Sequence, residues 1–167
     1  MPGKFCMQIK GPGCPKAMQR VWLSDAASTH GARCLDGTPA AYYVRPASAV
    51  ENVTKFVVYL QGGGWCASAQ GWQHTIWGCT ARTSSRMGST NGYPASTDRS
   101  DSVIHTLFDE NGDKGGIMSA DTAINPDFAT WNAVWVAYCD SGSFSGNRET
   151  PVPLSNGGEL WFRGRSM

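Results

Sequence analysis

The chain has 167 residues, a net charge of +1 and only 16% charged side chains. It is long enough for one domain with a sizeable core, and it carries no electrostatic footprint for nucleic acid or an acidic membrane surface. No stretch is long and apolar enough to cross a bilayer as a helix, so no membrane span is expected.

In chain order, residues 1–20 read as an irregular extension. Pro2, Pro12 and Pro15 interrupt it and no apolar h-region is present, so it is not a signal peptide. From Val21 to Met167 the texture is globular. The segment Cys34 to Pro39 (CLDGTP) is a turn signal, and Ala41 to Arg45 reads as a short strand. Asn52-Val53-Thr54 is an N-glycosylation sequon, which makes Asn52 a candidate glycan acceptor. Lys55 to Leu60 is rich in apolar and β-branched residues and reads as a buried strand. It stops at Gln61 and three consecutive glycines, Gly62, Gly63 and Gly64, followed by Trp65 and Cys66.

Beyond that motif, residues 67–86 predict short helical pieces broken by Gly71 and Gly78. Residues 87–116 are polar and predict a long surface excursion with a modest apolar patch at Val103, Ile104, Leu107 and Phe108. Asn125-Pro126-Asp127-Phe128 has the grammar of a helix start: an Asn cap, Pro in the first helical position and an acid in the first turn. Ala133 to Cys139 predicts a second buried strand, leading into the polar loop Asp140 to Gly146. Strands separated by helical pieces, with functional-looking loops after their C-terminal ends, fit an open α/β sheet.

Three glycines after a strand let the backbone turn sharply and bring bare N–H groups close to a ligand, as in the oxyanion holes of ester hydrolases. The structural alternative is a tight strand-to-helix turn without chemistry. Nucleotide binding is excluded, because neither G-x-G-x-x-G nor a following Lys-Ser or Lys-Thr is present. A serine hydrolase also needs a nucleophile on a G-x-S-x-G elbow, and the chain has none. Ser143 and Ser145 lie in a near miss whose central residue is Phe144, and they read as loop hydroxyls. His30, His74 and His105 all precede them, against the Ser-to-His chain order of that fold. Asp109 to Asp113 superficially resembles a calcium loop, but Lys114 occupies the invariant glycine slot and Ala120 the closing Glu slot. No metal or cofactor is expected.

Cys6, Cys14, Cys34, Cys66, Cys79 and Cys139 lack the C-x-x-C spacing of a zinc site and read as disulfides. That implies an oxidising compartment, and fifteen complete pairings remain open.

Eight segments together resemble the pectin acetylesterases of plants and their animal relative Notum: CLDGTP at 34–39, YLQGGGWC at 59–66, CTAR at 79–82, GIMS at 116–119, NPDFATWN at 125–132, YCD at 138–140, SFSG at 143–146 and LWFRG at 160–164. The resemblance implies a secreted or cell-wall α/β hydrolase that cleaves acetyl or acyl esters with a Ser-His-Asp triad, on an acetylated polysaccharide such as pectin or another acyl ester. It implies that the backbone amides of Gly63, Gly64 and Trp65 form part of the oxyanion hole. It also implies the disulfides Cys66–Cys79 and Cys34–Cys139. The former closes a short loop whose entropy is worth about 3 kcal/mol. Gln61 stands where the family usually has Glu, which removes a charge and leaves the N–H geometry intact. In the family the Phe-Arg-Gly segment precedes the nucleophile strand. The chain is therefore expected to represent the N-terminal part of an α/β-hydrolase-like sheet, incomplete and inactive alone because the triad is absent. The alternative is a catalytically dead glycan-binding module that uses its Trp-rich surface.

Overall fold

The computed structural model describes residues 17–67, 78–97 and 116–167. The described residues divide into two compact units. One comprises 17–21, 43–59, 94–97 and 116–136, and the other 22–42, 60–67, 78–93 and 137–167.

A four-stranded sheet has the order β1-β2-β4-β3, with β1 at Gln19–Trp22, β2 at Ala41–Arg45, β3 at Phe56–Leu60 and β4 at Asn132–Val136. Its sense follows from the hydrogen bonds at the strand ends. Leu23 N–H donates to the Ala40 carbonyl at 2.9 Å, so β1 and β2 run antiparallel. Ser48 N–H to Thr130 and Ala137 N–H to Ala41 make β2 and β4 antiparallel. Asn132 N–H donates to the Lys55 carbonyl at one end and Tyr138 N–H to Gln61 Oε1 at the other, so β3 and β4 are parallel. A parallel pair needs a long crossover, and residues 61–131 provide it.

In the first unit burial alternates along β2. Tyr43 and Arg45 are buried, with Val44 between them half-buried, and the Tyr43 ring stacks on Trp135 of β4 at 5.0 Å. Burying Arg45 lowers its pKa by desolvation, and its guanidinium is satisfied by the carbonyls of Met118, Ser119 and Ala129. Asn132 fixes the start of β4. Its Oδ1 accepts Ala47 N–H at 3.0 Å, and its Nδ2 donates to the carbonyls of Val53 and Lys55 at 2.9 Å.

In the second unit helix α1 (Ser24–Thr29) joins β1 to β2, and α2 (Cys79–Arg82) is a single turn. A small hairpin pairs β5 (Val152–Pro153) with β6 (Glu159–Leu160). Cys34 is bonded to Cys139 and Cys66 to Cys79, the pairings that the resemblance implies. Two apolar clusters form around them. Cys34, Ala40 and Cys139 pack with Leu23 and Met167, while Leu35, Cys79 and Leu160 pack with Cys66, Val152, Leu154 and Phe162. In the turn at 34–39, Asp36 Oδ1 accepts both the N–H and the hydroxyl of Thr38, and Gly37 takes a φ of +85°.

Several expectations change. β3 is a strand but not a buried one: Phe56, Val58 and Leu60 are 56%, 58% and 59% exposed. It is the last strand in the sheet order, so its apolar character does not translate into burial. Gln19 and Arg20, assigned to the irregular extension, open β1. The Asn125 cap is made, with Asn125 Oδ1 accepting Phe128 N–H at 3.2 Å, but residues 126–130 remain turns, because β4 begins at Asn132. Part of the expected surface excursion is interior. Ser89, Thr90 and Tyr93 are buried, and their polarity is absorbed by bonds such as Thr90 Oγ1 to the Pro39 carbonyl and Tyr93 Oη to Arg86. Asn52 is also buried, and its Nδ2 donates to Thr130 Oγ1 at 2.7 Å, so the atom a glycan would occupy is enclosed in the fold. Cys6, Cys14, Trp72, His74, Trp77, the apolar patch at 103–108, His105 and the acidic run at 109–113 lie outside the described residues.

Candidate active site

The glycine turn leaves β3 at Gln61, whose buried side chain continues the ladder by accepting Tyr138 N–H at 2.9 Å. The next residues turn away from the sheet. Gly63 must be glycine because a Cβ there would collide with the Tyr138 ring, and Gly64 takes a φ of +65°, where a side chain is strained. Gly62 faces open space. Gly64 and Trp65 are exposed. Among the described residues the backbone N–H groups of Gly63, Gly64 and Trp65 make no hydrogen bond. Unused donors on a fixed, exposed turn are what an anionic oxygen requires.

The Gly64 carbonyl, by contrast, is fully engaged. Tyr138 Oη donates to it at 2.6 Å and Arg82 Nη1 at 2.7 Å. Arg82 is the last residue of α2 and only 1% exposed. Its own carbonyl accepts Ser85 N–H and the Ser85 hydroxyl, and Gly88 packs against that carbonyl so closely that a Cβ would not fit. The Cys66–Cys79 bond ties the end of the glycine turn to the start of α2.

Opposite the turn lies the loop after β4. Ser141, Ser143 and Phe144 all have positive φ, 52°, 53° and 57°, a cluster of left-handed non-glycine residues that only a strongly constrained loop holds. Asp140 supplies part of the constraint. Its carboxylate is 1% exposed and accepts Phe144 N–H at 2.9 Å, while Gly164 packs against it too closely for any side chain. Burial raises the Asp140 pKa, opposed by the N–H groups of Gly142, Phe144 and Asp140 itself. Ser141 Oγ donates to the Met87 carbonyl, and Cys66 N–H to the Ser141 carbonyl. Ser143 N–H donates to Tyr138 Oη, and Ser143 Oγ accepts the indole N–H of Trp65.

The sequence-derived residues are therefore brought together unevenly. Gly63, Gly64, Trp65, Cys66, Cys79 and Ser143 share one site. Ser145 turns its hydroxyl onto the Gly142 carbonyl, and among the described residues neither it nor Ser143 is hydrogen-bonded to a histidine. His30, at the end of α1, has its carbonyl held by Arg163. Among the described residues no group of three or more His, Cys, Asp or Glu is placed to hold a metal. Sequence reasoning assigned no role to Arg82, Tyr138 or Asp140. Their only signal was membership of the segments CTAR and YCD.

Comparison with known proteins gives the family and the fold. A family model described as pectinacetylesterase matches residues 15–167. Pectin acetylesterase 5 of Arabidopsis thaliana is 33% identical over 151 residues, covering 90% of this chain and 30% of that protein. The palmitoleoyl-protein carboxylesterase NOTUM of Schmidtea mediterranea is 29% identical over 146 residues, 87% of this chain and 23% of that protein. The chain thus spans about a third or less of the length of these relatives. In structure it is similar to the Wnt deacylase Notum from Drosophila, with a TM-score of 0.61 and 22% identity over 89% of this chain and 35% of the other. That likeness shows a shared fold, an α/β-hydrolase fold of which these residues form part.

Proposed function

The chain belongs to the pectinacetylesterase family, and on that premise we propose that it supplies the oxyanion-binding part of a carboxylic ester hydrolase. The observation that carries the reading is the set of N–H groups at Gly63, Gly64 and Trp65 that are unengaged among the described residues, on a turn fixed from behind at which Gly64 and Trp65 are exposed. When an ester carbonyl is attacked, its oxygen gains charge, and donors already aimed at it stabilise the transition state without reorganising. Removing one such donor typically slows the reaction about 10²–10³-fold.

The substrate class is an acetylated cell-wall polysaccharide such as pectin, or another acyl ester. The family membership supports an ester substrate. The two disulfides among the described residues support a secreted or cell-wall location. The nucleophile, acid and base of such a reaction are not assigned to residues of this sequence. It contains no G-x-S-x-G elbow, and Ser143 and Ser145 have hydroxyls bonded to Trp65 and Gly142. This chain by itself is proposed to bind the ester without turning it over.

Equilibrium binding of acetylated and saponified pectin oligosaccharides, read by tryptophan fluorescence, tests this. Saturable binding that depends on the acetyl groups is expected, together with hydrolysis of an activated acetate ester at the background rate. Turnover abolished by Ser143→Ala or Ser145→Ala overturns the assignment. A second reading, a catalytically dead glycan-binding module, is favoured by the Trp65 indole, which is 66% exposed. It predicts equal binding of the two oligosaccharides.

A further inference from the structure

The peptide group between Gly64 and Trp65 has two ends with opposite fates. Its carbonyl accepts two strong hydrogen bonds, from Tyr138 Oη at 2.6 Å and Arg82 Nη1 at 2.7 Å, and its N–H donates to no partner among the described residues. No cis peptide bond is present among the described residues. In a planar trans peptide the carbonyl and N–H point in opposite directions, so fixing one aims the other. We propose that Arg82 and Tyr138 are positioning residues that clamp the Gly64 carbonyl and thereby hold the Trp65 N–H as an oxyanion donor. The inference rests on the reading of this turn as an oxyanion site.

Three features make the clamp specific. First, Gly64 sits at a φ of +65°, and the glycines before it, Gly62 and Gly63, place no side chain against the turn, so on that side nothing local holds this peptide plane. Tyr138 and Arg82 supply the missing restraint. Second, the bond from Arg82 is charge-assisted. A guanidinium on a carbonyl oxygen draws electron density through the peptide and makes its N–H a more polar donor. Third, Tyr138 is tied into a closed circuit. Its hydroxyl accepts Ser143 N–H at 3.2 Å while donating to Gly64, and Ser143 Oγ accepts the Trp65 indole at 2.6 Å. Both ends of Trp65, its backbone and its indole, are thus referred to the same tyrosine hydroxyl.

The test is amide NMR of the full 167-residue chain and of Tyr138→Phe and Arg82→Lys. Tyr138→Phe removes only the hydroxyl and keeps the ring against Gly63. Arg82→Lys keeps a cation on a differently shaped donor. Loss of a bond to the Gly64 carbonyl shields the nitrogen of the next residue, so the Trp65 amide nitrogen moves upfield in both variants, while amides of Ala133 to Val136 stay in place. Sodium acetate, titrated at matched ionic strength, shifts the Trp65 amide of the parent chain. The apparent affinity falls about three- to tenfold in each variant, the effect of one lost hydrogen bond. An unchanged Trp65 amide in both variants, with acetate affinity intact, overturns the clamp alone. Acetate that leaves the Trp65 amide of the parent unmoved overturns the donor reading and the clamp with it. Should Tyr138→Phe fail to fold, Arg82→Lys carries both comparisons.

Discussion

Trp65 and Ser143 are 78 positions apart, and the indole N–H of the first donates to the hydroxyl of the second at 2.6 Å. This bond orients an indole that is 66% exposed and so receives little help from packing. Removing it by Ser143→Ala or by Trp65→Phe is expected to give the same loss of stability, with a coupling of about 0.5–1.5 kcal/mol in a double-mutant cycle of urea unfolding. Strictly additive effects would show that the contact stabilises nothing.

Gly62 and Gly63 are neighbours of the same type with different surroundings. A Cβ at Gly62 meets nothing within 4 Å, while one at Gly63 runs into the Tyr138 ring. Gly63→Ala is expected to destabilise by about 1–3 kcal/mol through overpacking. Gly62→Ala stays within about 0.5 kcal/mol of the parent, as is usual for an exposed position without special contacts. Thermal or urea unfolding of the two variants separates the cases, and equal effects contradict the packing described.

The two disulfides among the described residues differ in span and in burial. Cys34–Cys139 joins residues 105 apart and both are fully buried; Cys66–Cys79 joins residues 13 apart, with Cys66 half-buried. On loop entropy the long bridge contributes about 4–5 kcal/mol and the short one about 3 kcal/mol. Graded reduction followed by alkylation and peptide mapping is expected to label Cys66 and Cys79 first. Replacing Cys34 and Cys139 with Ser should lower Tm more than replacing the short pair.

Asp140 sets a pH dependence. Burial raises its folded pKa above the unfolded value, and the N–H groups of Gly142, Phe144 and Asp140 only partly offset this. The unfolded chain therefore releases this proton first as pH rises. The group's contribution to stability falls through the window from the ordinary aspartate pKa up to the raised one, and is flat above it. Asp140→Asn keeps an oxygen to accept Phe144 N–H and does not titrate, so its stability relative to the parent should climb as pH rises through that window. Parallel unfolding profiles of the two chains would contradict it.

The sequence made the strands legible where local chemistry decides them. β2 and β3 stand where apolar and β-branched residues cluster, and β4 opens at Asn132, one residue before the expected start. Burial was less legible, because it depends on neighbours. Phe56, Val58 and Leu60 look like core residues and are exposed on the last strand, while Asn52 looks like a surface acceptor and is enclosed against Thr130. Gln19 to Trp22 became a strand through pairing with β2, which nothing local in that short stretch announces. At the site, the glycine turn is visible as a motif. The residues that fix it, Arg82 and Tyr138, lie 18 and 74 positions from Gly64 and meet it only in three dimensions.

The central claim, that the amides of Gly63, Gly64 and Trp65 receive the oxygen of an ester, is tested most directly by titrating the isotope-labelled chain with an acetylated oligogalacturonide and with its saponified counterpart. Saturable shifts of the Gly63, Gly64 and Trp65 amides are expected with the acetylated sugar alone. The same shifts from both sugars, or none at these three amides, would contradict it.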